Sequence, residues 1–302
     1  MNDTIQVEEQ PEEVEQTEPI TEIPETQEEQ KEEETPQEEE VVIENPQPIA
    51  KFHMTANKEK LSAILKAIAT VTDEPNFQVG KEGLTLRAMD SSHVAMIDFK
   101  YASERLDTYL FDVEGSFKFS IEEMQKIIAR AGKDDTITLE TNPDTAKVTV
   151  TITGEYERIF NLPLLQAEDG EEVPIPKLTW KTNVKTTVEA LRKALGDVAL
   201  VTDHVKILAN TETVKFEGRG DLSQADITFT KGSDVLFSLE SEYKRKPTTA
   251  IYSLSYLEEF VKAVSKDTIA NLSYSQDLPL KLDVSNGLGT IIFFLAPRIE
   301  TE

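Results

Sequence analysis

The stretch Phe119-Ser120-Ile121-Glu122-Glu123-Met124-Gln125-Lys126-Ile127-Ile128 recurs, in outline, as Tyr252-Ser253-Leu254-Ser255-Tyr256-Leu257-Glu258-Glu259-Phe260-Val261. Lys133-Asp134 continues the first copy and Lys266-Asp267 the second, each matched position lying 133 residues further on. Met124, Ile127, Ile128 and Ala131 make one apolar helical face, as do Leu257, Phe260, Val261 and Val264. Two more helical segments show the same spacing: Leu61, Ile64, Leu65 and Ile68, and Val188, Leu191 and Leu195. Each is about three turns long. Between them run short alternating segments that read as strands: Ile49–Thr55, Leu84–Ala88, Ala95–Phe99, Thr136–Thr141, Lys147–Thr153, Val214–Gly218 and Ile291–Leu295. Gly83, Gly132, Gly154, Gly287 and Gly289 fall at expected turns. The order of strand, helix, strands, helix, strands restarts near residue 179. An internal duplication is the economical reading. The fold class expected is α+β, with two similar domains, each a strand-rich sheet with two short helices on one face.

Residues 1–50 differ in kind. They hold 18 Asp and Glu against Lys31 alone, with six Pro and no Gly, which is −17 of the chain's −26. Such a segment repels itself and has little apolar surface to bury, so disorder is expected. The chain then divides into an acidic extension (1–48), a first domain (49–165), a connecting loop (166–178) and a second domain (179–302). In the loop, Val173-Pro174-Ile175-Pro176 is extended by its prolines and offers two apolar side chains. A solvated linker and a surface that receives a partner peptide are both open here.

No cysteine is present, which removes disulfides, thiolate catalysis and zinc–cysteine sites. His53, His93 and His204 lack metal-ligand spacing, and no P-loop, dinucleotide fingerprint or nucleophile elbow occurs. No catalytic residues, metal or cofactor are expected. The start lacks a signal peptide's basic and apolar regions, so a soluble intracellular protein is expected. On the second helix, with Met124 at zero, Lys126 falls at about 200° and Arg130 at about 240°, away from an apolar arc of about 300° to 40°. Lys262 and Lys266 lie opposite Leu257 and Val261; Arg192 and Lys193 mark the third helix, Lys58 and Lys66 the first. A solvated face explains any one of these. Four such faces turned to one space would attract phosphate without reading bases, largely unscreened by acids beyond about 8–10 Å.

Gly83-Leu84-Thr85-Leu86 followed by Met89-Asp90-Ser91-Ser92-His93-Val94 resembles the first-domain signature of the proliferating cell nuclear antigen family, and Asp107-Thr108-Tyr109 continues it. Ile175-Pro176, Asp277-Leu278-Pro279-Leu280 and Leu295-Ala296-Pro297-Arg298-Ile299-Glu300 follow in the family's order, over about residues 50–302. The lack of cysteine and the compact length look archaeal rather than eukaryotic, which implies cytoplasm and nucleoid rather than nucleus. The resemblance implies a homotrimeric ring on duplex DNA, opened by a clamp loader ATPase, that confers processivity on DNA polymerase and tethers flap endonuclease and DNA ligase. Partners would insert a glutamine, an aliphatic and two aromatic residues into an apolar pocket. By matched position, that pocket uses Met89, His93 and Val94, the linker wall Val173, Ile175 and Pro176, and the floor Pro279, Phe294, Ala296 and Pro297. Phe294 stands where relatives often have tyrosine. Lys126, Lys193 and Lys262 match basic pore positions; at the first helix, Ser62 and Ala63 replace a lysine pair, leaving Lys58 or Lys66. The joint between subunits would pair Tyr156–Leu162 with Ala225–Thr230 of the neighbour. A heterotrimeric or checkpoint-type subunit and an acidic scaffold never loaded on DNA are the competing readings.

Overall fold

The computed structural model describes residues 48–167, 173–242, 247–285 and 289–299. Apart from Pro48, the acidic extension expected to be disordered lies outside the described residues, as do linker residues 168–172 and Gly287. The first domain runs β1 (Lys51–Asn57), α1 (Lys58–Ala69), β2 (Asn76–Gly80), β3 (Gly83–Met89), β4 (Ala95–Ala102), β5 (Thr108–Val113), β6 (Gly115–Lys118), α2 (Ile121–Ala129), β7 (Thr136–Asn142), β8 (Lys147–Thr153) and β9 (Glu157–Pro163). The second repeats it: β10 (Thr182–Thr187), α3 (Val188–Ala199), β11 (His204–Ala209), β12 (Thr213–Arg219), β13 (Gln224–Thr230), β14 (Leu236–Ser241), β15 (Thr248–Ser253), α4 (Leu254–Ala263), β16 (Ile269–Tyr274), β17 (Leu280–Asp283) and β18 (Thr290–Leu295).

The strand orders are duplicates. β5-β1-β7-β8-β9 in the first domain corresponds to β14-β10-β16-β17-β18 in the second, and β4-β3-β2-β6 corresponds to β13-β12-β11-β15. All the strand pairs are antiparallel. The domains join where β18 pairs β4, from Thr290↔Lys100 to Leu295↔Ala95, which fuses two sheets into one of nine strands.

Alternation decides which face is buried. In β1, Phe52 and Met54 point inward while Lys51 stays exposed; in β8, Val148, Val150 and Ile152 are fully buried. Leu61, Ile64 and Leu65 of α1 and Met124 and Ile128 of α2 meet Met54, Phe77, Leu84, Phe99, Phe117 and Leu139 from both sheets. Leu191, Leu195, Leu257 and Val261 do the same against Ile207, Phe216, Leu272 and Leu282. Burying one such side chain stabilises by about 1.5–3 kcal/mol, which fixes the helices to the sheets. α1 lies against α2 and also touches α4, which lies against α3, so the four helices form one row.

Local chemistry sets the helix starts. Asn57 Oδ1 accepts from Lys60 N at 2.9 Å, and Thr187 Oγ1 accepts from Ala190 N at 3.0 Å. A cap of this kind is worth about 1 kcal/mol. Gly83 opens β3 with φ 115°, and a Cβ there would lie 2.1 Å from Tyr101 O, so only glycine fits this turn. The first strand begins later than its alternation suggests: Ile49 makes an isolated parallel bridge to Ser116, and β1 proper starts at Lys51. Ala131 is buried but lies beyond the end of α2, whose C-cap is Arg130.

Candidate peptide site and DNA face

β3 and β4 are joined by the turn Asp90–Val94. Asp90 accepts Val94 N at 2.8 Å and Ala95 N at 2.7 Å on Oδ1, while its own N–H donates to Ala95 O at 2.9 Å. His93 donates its N–H to Asp90 O and sits at φ 58°, a conformation histidine tolerates better than bulky residues do. Burial pushes the Asp90 carboxyl up, but donors from Ala95, Tyr256, Val94 and Ser92 outweigh it and hold it below its usual value. The carboxylate therefore stays ionised and keeps the turn closed.

Of the residues expected in a pocket, Met89, His93, Val94, Phe294 and Ala296 lie in this turn or are linked to the strands it joins. Met89 pairs with Met96 across β3–β4, and Met96 pairs with Phe294 across β4–β18. Ala296 N donates to Val94 O at 2.8 Å. Arg87 donates to Val173 O at 2.9 Å while it is bound to Asp98, so the linker is pinned beside β3. Trp180 is half-buried: its Nε1–H donates to Pro279 O at 2.8 Å and its ring lies 6.2 Å from Phe294. Phe294 is buried, Val94, Val173, Pro176, Pro279, Ala296 and Pro297 are half-buried, and Met89, His93 and Ile175 are exposed. Pro176 O accepts from Leu178 N, which turns the linker into the second domain. Arg87 and Trp180 carried no sequence signal, because both act through partners distant along the chain.

The cations on the helix row divide in two. Lys58 Nζ donates to Ala129 O at 3.1 Å and to Ala131 O, and Arg192 donates to Val261 O at 2.6 Å, Lys262 O at 3.1 Å and Val264 O. In each domain a cation from the first helix therefore satisfies the open carbonyls at the end of the second. Lys58 and Arg192, both expected on the DNA face, thus have donors engaged at helix ends. The others are exposed. Lys126 pairs with Glu122 at 2.8 Å and Glu123 at 2.7 Å, Lys193 with Glu189 at 2.9 Å, and Lys262 with Glu258 at 3.3 Å. Glu122 is held below its usual range by Lys126, and Glu189 by Lys193 with a smaller contribution from Lys266. Lys66 is exposed in the last turn of α1, and the exposed Arg130 closes α2, where its carbonyl accepts from Arg158.

Among the described residues no group of three or more His, Cys, Asp or Glu side chains is placed to hold a metal ion, and no helix is long and apolar enough to cross a membrane.

Residues 50–169 match the family model described as the N-terminal domain of proliferating cell nuclear antigen, and residues 174–299 match that of its C-terminal domain. The DNA polymerase sliding clamp of Cenarchaeum symbiosum is 32% identical over 250 residues, covering 82% of this chain and 98% of that one. That of Methanococcus vannielii is 27% identical over 250 residues, 83% of this chain and all of the other. The crystal structure of Thermococcus kodakaraensis PCNA superposes with a TM-score of 0.77 at 25% identity, covering 82% of this chain and 100% of that one. A. fulgidus PCNA bound to the C-terminal region of FEN-1 shares the fold, with a TM-score of 0.74 at 21% identity over 83% of this chain and 100% of that one. Two duplicated domains, joined β18 to β4 with four helices in one row, and relatives matched over nearly their whole length, place the chain in the proliferating cell nuclear antigen family of DNA sliding clamps.

Proposed function

We propose that three copies of this chain close head to tail into a ring around duplex DNA, with the helix row turned to the hole and the peptide pocket open to partners. The protein is a PCNA-type sliding clamp, without catalysis of its own, that tethers replication and repair enzymes. The observation that carries the ring is the duplicated edge. β18 meets β4 within the chain, yet their counterparts β9 and β13 are both sheet edges. Moving the β18–β4 register by the duplication puts Ile159 opposite Asp226, Phe160 opposite Ala225 and Asn161 opposite Gln224 of the next copy. Tyr156 is 64% exposed, Ile159 57% and Leu222 fully so, at the edges such a joint would cover. Pairing these edges also removes two open strand ladders from solvent. The family supplies the number three.

The mechanism is topological. A closed ring cannot leave a long duplex sideways, so weak and sequence-blind phosphate contacts from Lys66, Lys126, Arg130, Lys193, Lys262 and Lys266 suffice. DNA polymerase, flap endonuclease and ligase dock short glutamine–aliphatic–aromatic motifs in the pocket around Met89, His93, Val94 and the linker. Tethering raises their effective concentration at the primer end. An ATP-driven loader opens the ring.

The purified chain should show three times its monomer mass by light scattering. Loaded on nicked circular DNA it should stay bound and be lost when the circle is linearised. A monomer that assembles only with paralogues would replace the homotrimer by a heterotrimer, and no loss on linearisation would refute the clamp on DNA.

A further inference from the structure

Hydrogen bonds of two kinds link the turn Asp90–Val94 to the second domain, and the Ser92 side chain shares the second through the Tyr256 hydroxyl. One extends the sheet: Ala296 N to Val94 O, directly after the β4–β18 ladder. The other has no counterpart in any ladder. Tyr256 on α4 donates its hydroxyl to Asp90 Oδ2 at 2.8 Å, across 166 residues of chain. The other carboxylate oxygen of Asp90 holds the Val94 and Ala95 amides. One side chain thus binds its own turn with Oδ1 and a helix of the other domain with Oδ2. The same helix carries Glu258 and Lys262, paired at 3.3 Å on its exposed face.

We propose that Tyr256 is a positioning residue for the peptide pocket: as a strut from α4 to Asp90, it fixes the turn that presents His93 and Val94. The inference rests on the pocket reading above. Tyr256 itself is half-buried, with its ring 6.4 Å from that of Phe260, so the phenol is held by packing before it meets the carboxylate. The acceptor is ionised, which makes the bond charge-assisted and stronger than a neutral one. Without the hydroxyl, Asp90 still organises its own turn, but the turn loses the hydrogen bonds that tie it to α4. His93 holds its φ of 58° only while surrounding contacts over-determine it. A loosened turn must be ordered again each time a peptide binds, which lowers affinity without removing any peptide contact.

The test compares full-length Tyr256→Phe with full-length Tyr109→Phe. Tyr109 also loses a hydroxyl bond, to Gly80 O at 2.8 Å, in a part of the first domain that touches neither Asp90 nor the linker in any hydrogen bond described above. The probe is a synthetic peptide carrying Gln, Leu and a Phe-Phe pair at the family spacing. Tyr256→Phe should bind it about 3- to 10-fold more weakly, with faster amide exchange at Val94 and Ala95 and wild-type oligomer mass. Tyr109→Phe should keep wild-type peptide affinity and wild-type exchange at those amides. Unchanged exchange at Val94 and Ala95 in Tyr256→Phe overturns the strut, as does an equal loss of affinity in both variants. If the wild-type chain ignores the peptide, the pocket reading falls and the positioning role with it. Exchange at the two amides then shows whether the strut itself exists.

Discussion

At the scale of single residues, charge on the helix row is tempered by its neighbours. Lys126, Lys193 and Lys262 each have a glutamate four residues earlier, in the favourable order for a helix. Exposed pairs of this kind are weak, so a phosphate competes with the carboxylate rather than being excluded by it. Glu122→Gln, Glu189→Gln and Glu258→Gln together should tighten DNA binding at low salt. Lys126→Ala should weaken it for every sequence alike and reduce the salt slope by about 1 per copy. DNA affinity measured against salt decides; an unchanged slope in Lys126→Ala would remove that lysine from the DNA face. A second residue prediction concerns pH. Burial first, and Glu114 more weakly, push the Tyr109 phenol up to about 12. The folded state thus favours the protonated form. Its contribution is complete below the unfolded value of about 10 and is lost as pH climbs to about 12. Tyr109→Phe should unfold more readily than wild type at pH 7 and lose that disadvantage in alkaline melts. The outward position of Lys126 and Lys262 was legible from helical periodicity. What Lys58 and Arg192 do was not, because a long side chain reaches a neighbouring helix end that periodicity does not locate. The bond between Tyr256 and Asp90 was equally unreadable, its partners being 166 residues apart.

At the scale of elements, the edges β9 and β13 are where the proposed ring would close. The duplication was readable because Phe119–Asp134 and Tyr252–Asp267 keep their spacing. Four helices and the strands at 136–142, 147–153 and 290–295 follow from period alone. The pairing of β18 with β4 does not. Strand order is set by contacts hundreds of positions apart, and neither strand's residues name their partner. Once that pairing is known, the duplication converts it into a prediction about the other two edges. Ile159 is more than half exposed on β9 and falls opposite Asp226 of the next copy. Ile159→Asp would set two carboxylates against each other directly across that ladder, where like charges destabilise the pair. The variant should fold with a wild-type circular dichroism spectrum but sediment as a monomer. A trimer of unchanged mass would show that β9 is not the joint. Ile159→Val, which keeps the apolar contact, should remain trimeric.

At the scale of the whole molecule, the acid balance and the DNA function meet. Residues 1–50 contribute −17 of the net −26, so the rest of the chain carries only −9. The chain therefore carries, ahead of the two domains, an acidic segment longer than a typical linker, while the DNA contacts proposed for the ring are electrostatic. Coulomb repulsion from that segment acts on approaching DNA at any distance within a Debye length, about 10 Å at 0.1 M salt and about 30 Å at 0.01 M. Removing residues 1–48 deletes the charge but none of β1–β18, because the first ladder residue is Lys51. The truncated chain should keep the trimer mass and the peptide affinity of the full chain. It should be loaded on circular DNA faster at low ionic strength, with the difference vanishing as salt rises. A rate gap that persists at high salt would point to a contact made by the segment rather than to its field. Equal rates at every salt would mean that the acidic segment neither repels DNA nor competes with it for the lysines, and that its charge serves solubility alone.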